Sequence, residues 1–487
     1  MAKCATGRRI NRSASFRLRV LRWIACFAVA PALWACTDRR LTPPATGTLQ
    51  ATTLVVPTSP NRDIDILFMV DDSLSMQPLQ QKLAQRLPDF MNVLKGVPGG
   101  LPDVHVAVVS SSLGAGIYGD VSGCAPGHPG NDGGKFQHAG NCGLNPGETY
   151  LKSIGGTNNF TGNVEDVFSC IALLGGGGCG FEHQFASTTA ALQKAGDPLD
   201  PDNGGFLRPN AYLAIVMLTN EDDCSAPPDS TMFDPGQTSV KSPLGGLQSY
   251  RCNEFGHLCD GRSPPHDVTG TMTLGNCVSA ENRGRLTTVA DFISFLKGLK
   301  ADPNRILVAA LAGLPTPYVV QPQAFQLPDG SSEIQPAVGH SCTAANGDYA
   351  DPAVRVKSWI DGFNGNGVFE SICADDFRPA MVRIAQAVIR RFPVQCINGQ
   401  VRVNSDGTPD CRVTHRTFSK EGTAADHDTP FCNTALTGLP CWRLTADPAN
   451  CAAGQRIQVC WDPSCDPIKA PTDAGNDIIS CSVTANP

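Results

Sequence analysis

Three side chains that carry oxygen atoms fall at alternate positions of one short stretch, at Asp71, Ser73 and Ser75. A carboxylate and two hydroxyls are hard oxygen ligands of the kind that Mg²⁺ and Ca²⁺ prefer in proteins. Three ligands do not fill an octahedral shell, so water or a carboxylate from another molecule would complete it. The spacing therefore predicts a divalent-cation site, for Mg²⁺ first and for Mn²⁺ or Ca²⁺ as alternatives. Asx turns and helix caps explain the same residue types without a metal.

The segments on either side of this motif predict the elements that position it. Residues 65–71 (DILFMVD) form a short apolar run bounded by acids, which is typical of a strand buried on both faces of a parallel sheet. From Leu79 to Leu94, apolar residues recur at intervals of three and four, which predicts one amphipathic helix. The motif would then lie just past the carboxyl end of a buried strand, where open α/β sheets bind ligands.

Strands and helices are predicted to alternate along the following three hundred or so residues of the chain, at typical element lengths. The predicted strands cover 104–110, 212–219 and 306–311, and the predicted helices cover 164–174, 181–195, 286–299 and 377–391. This alternation predicts an α/β domain over residues 62–393, built on a doubly wound and mostly parallel sheet. Excursions rich in Gly, Pro and Asp at 112–160, 222–284 and 312–352 are longer than ordinary loops, and cysteines in each would pin them.

The D-x-S-x-S motif in this α/β context resembles the von Willebrand factor A (vWA) family over about residues 62–393. The resemblance implies a metal-ion-dependent adhesion site (MIDAS), at which a protein partner supplies a carboxylate to the bound cation. In the family a threonine and an aspartate from two later loops complete the site. Here Asn220, which begins the turn NEDD, stands where the aspartate is expected. The other loop lacks the threonine, so Glu182 is the candidate ligand there, although an acid in a helix's first turn is equally explained by the helix dipole.

Two other classes of function remain open on the sequence. In one, the α/β domain is a metal-free scaffold, and the region from Cys396 to Cys481 recognises a glycan or cell-wall polymer. In the other, a secreted hydrolase uses Glu221, Asp222 and Asp223 with a metal. No Ser/His/Asp arrangement and no metal-binding helix stands out in the sequence. We therefore expect a binding protein and not an enzyme.

The first 35 residues predict a bacterial secretory signal. They hold seven basic residues and no acid, and they end in the apolar run Trp23–Ala35, which is too short to span a membrane. The sequence LWAC that ends at Cys36 resembles a lipobox, which implies lipidation of that cysteine and attachment to a membrane. Residues 36–61, rich in Thr and Pro, are predicted to be a flexible linker. We expect the cell envelope, and the outer membrane ahead of the inner one because Thr37 and Asp38 do not resemble the usual retention signal.

The net charge and the number of cysteines limit which partners and which cellular compartment we expect. Removing residues 1–35 takes the formal net charge from −7 to −14, so nucleic acid is not an expected partner. Nineteen cysteines remain in that mature chain, and a lipidated Cys36 leaves ten between Cys124 and Cys373 and eight between Cys396 and Cys481. These even numbers predict two separate disulfide frameworks in an oxidising compartment. The second would staple residues 394–487 into a small cysteine-rich module.

Overall fold

The structure is a computed structural model. It describes residues 52–55, 62–96, 100–138, 140–281, 285–389, 391–392, 397, 400–418, 424–446, 455–460, 463, 465 and 475–484. The predicted signal sequence, Cys36 and Cys396 lie outside these residues. Within the described ranges, every helix is too short or too polar to cross a bilayer.

The described strands and helices have the following bounds. The strands are β1 (Thr52–Val55), β2 (Ile64–Val70), β3 (Val104–Ser110), β4 (Leu151–Ile154), β5 (Thr157–Asn158), β6 (Tyr212–Leu218), β7 (His257–Leu258), β8 (Met272–Leu274), β9 (Val278–Ser279), β10 (Ile306–Ala312), β11 (Tyr318–Gln326), β12 (Ser332–Gly339), β13 (Cys342–Thr343), β14 (Tyr349–Ala350), β15 (Gly367–Ser371), β16 (Gln400–Val401), β17 (Cys411–Phe418), β18 (Ala424–Thr429), β19 (Cys441–Ala446), β20 (Gln455–Cys460) and β21 (Gly475–Thr484). The helices are α1 (Gln77–Ala84), α2 (Leu87–Lys95), α3 (Val164–Ile171), α4 (Gln184–Ala195), α5 (Tyr250–Gly256), α6 (Val289–Lys297), α7 (Val354–Asp361) and α8 (Arg378–Ile389).

A seven-stranded sheet, in the order β15-β10-β6-β2-β3-β4-β5, organises the α/β domain. The first five strands in this order run parallel, and β4 and β5 extend the β3 edge in antiparallel pairing. Every residue of β2, β3, β6 and β10 is buried, as their continuous apolar sequences require in a sheet that is covered on both faces. The predicted α/β fold class with a mostly parallel sheet is confirmed.

Helices cover both faces of this sheet. Alternate residues of β2 enter different cores, since side chains of a strand point to opposite faces in turn. Phe68 packs edge-on against Phe90 and Phe168, on the face that α1, α2, α3 and α8 cover. Met69 belongs to the other core, which α4, α6 and α7 cover. The carboxyl ends of the parallel strands are left free between the two helical layers to carry loops.

The helix predicted from Leu79 to Leu94 is two helices, α1 and α2, and the chain bends at Gln85 and Arg86. Pro88 lies in the first turn of α2. A proline has no backbone N–H and its ring clashes with the carbonyl four residues earlier, so an unbroken helix is excluded here. The apolar periodicity survives the break because both helices pack against the same core.

Five disulfides pair all ten cysteines between Cys124 and Cys373 among themselves. Three of the bonds are Cys124–Cys179, Cys224–Cys252 and Cys342–Cys373, and each ties a loop at the carboxyl edge of the sheet to a second segment. Cys170 is closer to Cys179 in sequence than Cys124 is, but Cys170 pairs with Cys142 instead. Each long excursion is therefore pinned, either within itself or to a neighbouring helix or loop.

The C-terminal region has its own sheet, in the order β1-β21-β17-β18, with β16 also paired to β21. Six of its cysteines are described, and they pair as Cys411–Cys481, Cys432–Cys441 and Cys460–Cys465. Its edge strand β1 falls within the predicted linker 36–61, so the linker prediction is wrong for Thr52–Val55. The β-branched residues of this TTLV stretch favour an extended strand.

Candidate cation site

Asp71 is the first residue after β2, and its side chain is fully buried. Its backbone N–H donates to the carbonyl of Leu218 at 3.0 Å, which continues the pairing of β2 with β6. One carboxylate oxygen accepts the backbone N–H of Ser73 at 2.9 Å, and the other accepts the Thr219 hydroxyl at 2.7 Å. The adjacent ends of β2 and β6 thereby hold the carboxylate in a single orientation.

The two serines of the motif face one another and reach the end of β6. The Ser73 and Ser75 hydroxyl oxygens are 3.2 Å apart. The Asn220 amide Nδ2 donates to the Ser75 hydroxyl at 3.1 Å and to the carbonyl of Tyr349 at 3.3 Å. The structure therefore brings Asp71, Ser73 and Ser75 together with Asn220, the residue that the vWA resemblance implies for this site.

Glu182 lies in the loop before α4, and its side chain is 1% exposed. The predicted helix would begin at Phe181, but α4 begins at Gln184, so an acid in the first helical turn is not its role. The Ser111 hydroxyl donates to Glu182 Oε2, and Oε1 has no partner among the described residues. A side-chain hydrogen bond between the Asp71 and Glu182 carboxyl groups places the two acids in one site. A buried carboxylate oxygen without a partner is costly unless an ion or water satisfies it.

Four residues of this site were not singled out from the sequence: Asp72, Thr219 and the two serines after β3. The Ser112 hydroxyl donates to Asp72 Oδ1 at 2.9 Å and the Ser111 oxygen lies 3.3 Å from the same atom, while Asp72 Oδ2 is buried without a partner among the described residues. The signal that could have found them is positional, because β3 and β6 flank β2 and polar residues after their carboxyl ends must meet the motif.

Burial and mutual repulsion raise the pKa values of the acids around this site. Burial raises the pKa of Asp71, against the hydrogen bonds from Ser73 and Thr219. Burial and then the charges of Asp71 and Glu221 raise the pKa of Glu182 well above its ordinary value. Burial is also the main cause that raises the pKa of Asp72 to about 7 and that of Glu221 to about 8. Among the described residues, none of these four acids forms an ion pair with Lys, Arg or His.

A glycine-rich loop closes one side of the site. Gln80 of α1 donates to the carbonyls of Asp71 and Gly175, both at 2.8 Å, and so joins the motif to this loop. The Gly178 N–H donates to the Asp72 carbonyl at 2.8 Å, and a Cβ at Gly178 would come within 2.4 Å of the Asp72 carboxylate. Only glycine allows this close approach. The Cys124–Cys179 bond then fixes the loop beside Glu182.

Asp222 and Asp223 point away from the site and stabilise two helix N-termini. The Asp222 carboxylate accepts the N–H groups of Arg355 and Val356 in α7 and lies 2.8 Å from the His257 ring nitrogen, and these contacts lower its pKa against burial. Asp223 accepts the N–H of Phe185 in α4 and pairs with the Arg355 guanidinium. These structural bonds leave neither acid free for the metal-dependent hydrolase considered from the sequence.

The ligand set suits a hard divalent cation. Within the ranges described, no three His, Cys, Asp or Glu side chains converge as a metal centre, so any cation would depend on hydroxyl and amide oxygens as well. Asp71 and Glu182 would supply charge, and Ser73 and Ser75 would supply hydroxyls. Glu182 Oε1, which has no hydrogen-bond partner among the described residues, is available to bind the cation. Oxygen ligands of this mixed kind fit Mg²⁺, Mn²⁺ or Ca²⁺ and do not suit zinc or copper.

Comparison with known proteins gives similarities to solved structures alone, since no family model and no curated protein matches the chain. A von Willebrand factor type A protein from Catenulispora acidiphila is 11% identical, with 88% of this chain and 59% of that chain covered and a TM-score of 0.27. The open conformation of the pilus adhesin SpaC from Lactobacillus rhamnosus GG is 11% identical, with 88% and 44% covered and a TM-score of 0.29. The pilus adhesin RrgA from Streptococcus pneumoniae is 9% identical, with 87% and 55% covered and a TM-score of 0.26. The chain thus spans about half the length of the solved structures that it matches.

Proposed function

We propose that this protein is a vWA-like adhesion protein of the bacterial cell envelope, which binds a partner protein through a divalent cation. Asp71, Ser73, Ser75 and Glu182 hold the cation, and the Asn220 carbonyl orients a water on it. A carboxylate of the partner takes an open position. The cation supplies a strong charge-assisted contact, and the chain's residues orient and desolvate it. In this proposal the protein binds and does not catalyse a reaction.

The observation that carries the proposal is the buried carboxyl pair of Asp71 and Glu182. The two acids act on each other in a site that contains no basic partner among the residues described, and Glu182 Oε1 is unsatisfied. Two carboxylates that are both ionised and buried are expensive, so without a cation the raised pKa values favour a proton on the pair. A divalent cation would replace that proton and satisfy both carboxylates and the unpaired oxygen together.

The anchor and the location belong to the same proposal. Lipidation of Cys36 would attach the chain to a membrane, with the outer membrane favoured, and the α/β domain would face the periplasm or the cell exterior. Labelling of growing cells with a fatty-acid analogue, on the natural chain and on a Cys36→Ser variant, tests this anchor. Label on both forms, or on neither, contradicts it.

Calorimetric titration of the mature chain from residue 37 with Mg²⁺, Mn²⁺ and Ca²⁺ tests the cation site directly. We expect one site, and we expect the Ser73→Ala, Ser75→Ala double variant to lose it because two of the ligands are gone. A Ser331→Ala variant is the matched control, since Ser331 donates to Asp329 in a similar Asp-x-Ser turn on the exposed hairpin of β11 and β12. Unchanged heats from the double variant, in a chain whose circular dichroism shows it folded, would remove the proposed function.

A further inference from the structure

Exposed apolar side chains surround the candidate cation site. Leu74, between the two ligand serines, is 75% exposed, and Tyr349 and Leu314 are 40% and 39% exposed. We call these three residues the apolar rim. A single exposed leucine is ordinary, but several beside one polar site are typical of a surface that binds another molecule.

The backbone contacts place the apolar rim along one continuous path. Ser75, next to Leu74, accepts a hydrogen bond from Asn220, and Asn220 in turn donates to the carbonyl of Tyr349. Gly313, next to Leu314, lies against the backbone of Asp351, where an added Cβ would come within 1.9 Å of its carbonyl oxygen. The rim therefore extends from the D-x-S-x-S turn, past Asn220, to the end of β10.

The part of the rim that carries Tyr349 is rigid. The ring of Tyr349 stacks on His340, with centroids 3.8 Å apart, and the Cys342–Cys373 bond fixes the hairpin of β13 and β14. Lys82 of α1 pairs with Asp348 in the same hairpin. A rigid aromatic ring loses little conformational entropy when a partner covers it, which is the property of an interface anchor.

Negative charge near the apolar rim limits the charge that a bound protein segment can carry. Asp351 is partly exposed and lies beside Tyr349, and the mature chain carries a formal charge of −14 once residues 1–35 are removed. An acidic partner surface would be repelled here. A lone carboxylate can still approach the cation when apolar and basic side chains flank it.

We propose that the apolar rim docks a protein segment in which the acid that completes the cation site is adjacent to a large apolar residue and close to a lysine or arginine. This inference rests on the proposed function. The apolar side chain covers Leu74 and Tyr349, and the basic side chain faces Asp351. A cation alone would accept the carboxylate of many proteins. The rim would make the site specific for segments with this combination of side chains.

Selection from a random twelve-residue peptide library displayed on phage tests the inference. The mature chain from residue 37 is the bait in Mg²⁺, and EDTA releases the bound phage. We expect the released sequences to combine Asp or Glu with an adjacent aromatic or aliphatic residue and a nearby basic one. We expect Leu74→Ser and Tyr349→Ser each to weaken the selected peptides at least about fivefold, the effect of exposing one apolar side chain. Leu199→Ser, at a leucine that is 89% exposed elsewhere, should change nothing.

The same preparation separates this inference from the proposed function. An absence of cation binding by calorimetry in the natural chain refutes the proposed function. Cation binding with released peptides that are acidic but have no apolar neighbour, or with no peptide released by EDTA, overturns the inference and leaves the cation site standing. Equal affinity of the peptides for the natural chain and the Leu74→Ser variant overturns it as well.

Discussion

Glu182 is a buried acid whose contacts cost the fold free energy. It is buried beside Asp71, repelled by it, and incompletely hydrogen bonded. Stored electrostatic strain of this kind persists where function requires it. Its effect on stability should therefore depend on whether a cation is present.

Replacing Glu182 with glutamine should stabilise the protein in EDTA and weaken cation binding. The amide keeps the shape and removes a buried charge that has no basic partner, so we expect the free energy of unfolding in EDTA to rise by about 1–2 kcal/mol. The lost ligand charge should lower Mg²⁺ affinity on the order of ten- to a hundredfold. Denaturant unfolding with and without Mg²⁺, with calorimetry, measures both. A variant that is destabilised equally in the two buffers would show that Glu182 is only structural.

His105 is a buried residue at the opposite, amino end of the sheet. Its Nδ1 lies 2.8 Å from the carbonyl of Phe206, and its ring packs against Tyr150. Burial, followed by the nearby Arg208 charge, lowers the pKa of His105 to about 4 from its ordinary value of 6.5. Asp65 lies 3.6 Å away, but Arg208 and Lys300 already pair with it. The folded protein therefore holds this imidazole neutral.

Stability should fall as the pH falls from about 6.5 to about 4, in part because of His105. In that window the unfolded chain binds a proton that the folded chain does not, so the free energy of unfolding rises with pH. The full effect is on the order of 3 kcal/mol, at about 1.4 kcal/mol for each pKa unit. His105→Gln should flatten this part of the curve of stability against pH, measured by urea unfolding. The same substitution at the exposed His138 is the control, and equal slopes in the two variants would contradict the prediction.

At the scale of elements, the sequence predicted the strands best where a segment is a continuous run of buried apolar residues. Residues 65–71 and 104–110 are continuous apolar runs, and both are strands of the central sheet within one residue of the predicted bounds. The sequence did not indicate β15, a half-buried edge strand of five residues, or α7, in which Arg355 is fully buried. A short edge strand has no clear periodic pattern of apolar residues. In α7 a charged residue occupies a buried position, which breaks the apolar pattern of the helix. This is possible because Asp223 and Glu281, from distant segments, pair with Arg355.

Disulfides at the carboxyl edge of the sheet should differ in their effect on the candidate site. Serine replacement of Cys124 and Cys179 should lower both stability, by about 2–4 kcal/mol, and cation affinity, because the freed loop carries Glu182. The matched control is removal of Cys259–Cys277, which closes an excursion with no contact to the proposed ligands and should lower stability alone. Thermal unfolding and calorimetry on both variants measure the two effects. Equal loss of cation affinity in both would point to general loosening instead of support of Glu182.

For the whole molecule, one sheet combines strands from before and after the α/β domain. The C-terminal sheet takes β1 from before the α/β domain and β16, β17, β18 and β21 from after it. Composition and cysteine parity indicated a separate module, but no local pattern could show that four residues near the predicted anchor pair with β21. Long-range strand pairing depends on a partner that sequence proximity does not reveal.

Replacing Thr52–Val55 with Gly-Ser-Gly-Ser should open one edge of β21 and leave the α/β domain intact. The register pairs Thr52 with Val483 and Val55 with Ser480, so the backbone amides of 480–483 should lose protection from hydrogen exchange. The β2 amides, from Ile64 to Val70, belong to a different sheet and should keep theirs. The same replacement at residues 43–46 controls for composition. Exchange in 480–483 that matches this control would show that β1 adds no stability, and the cysteine-rich module would then fold from residues 400–484 alone.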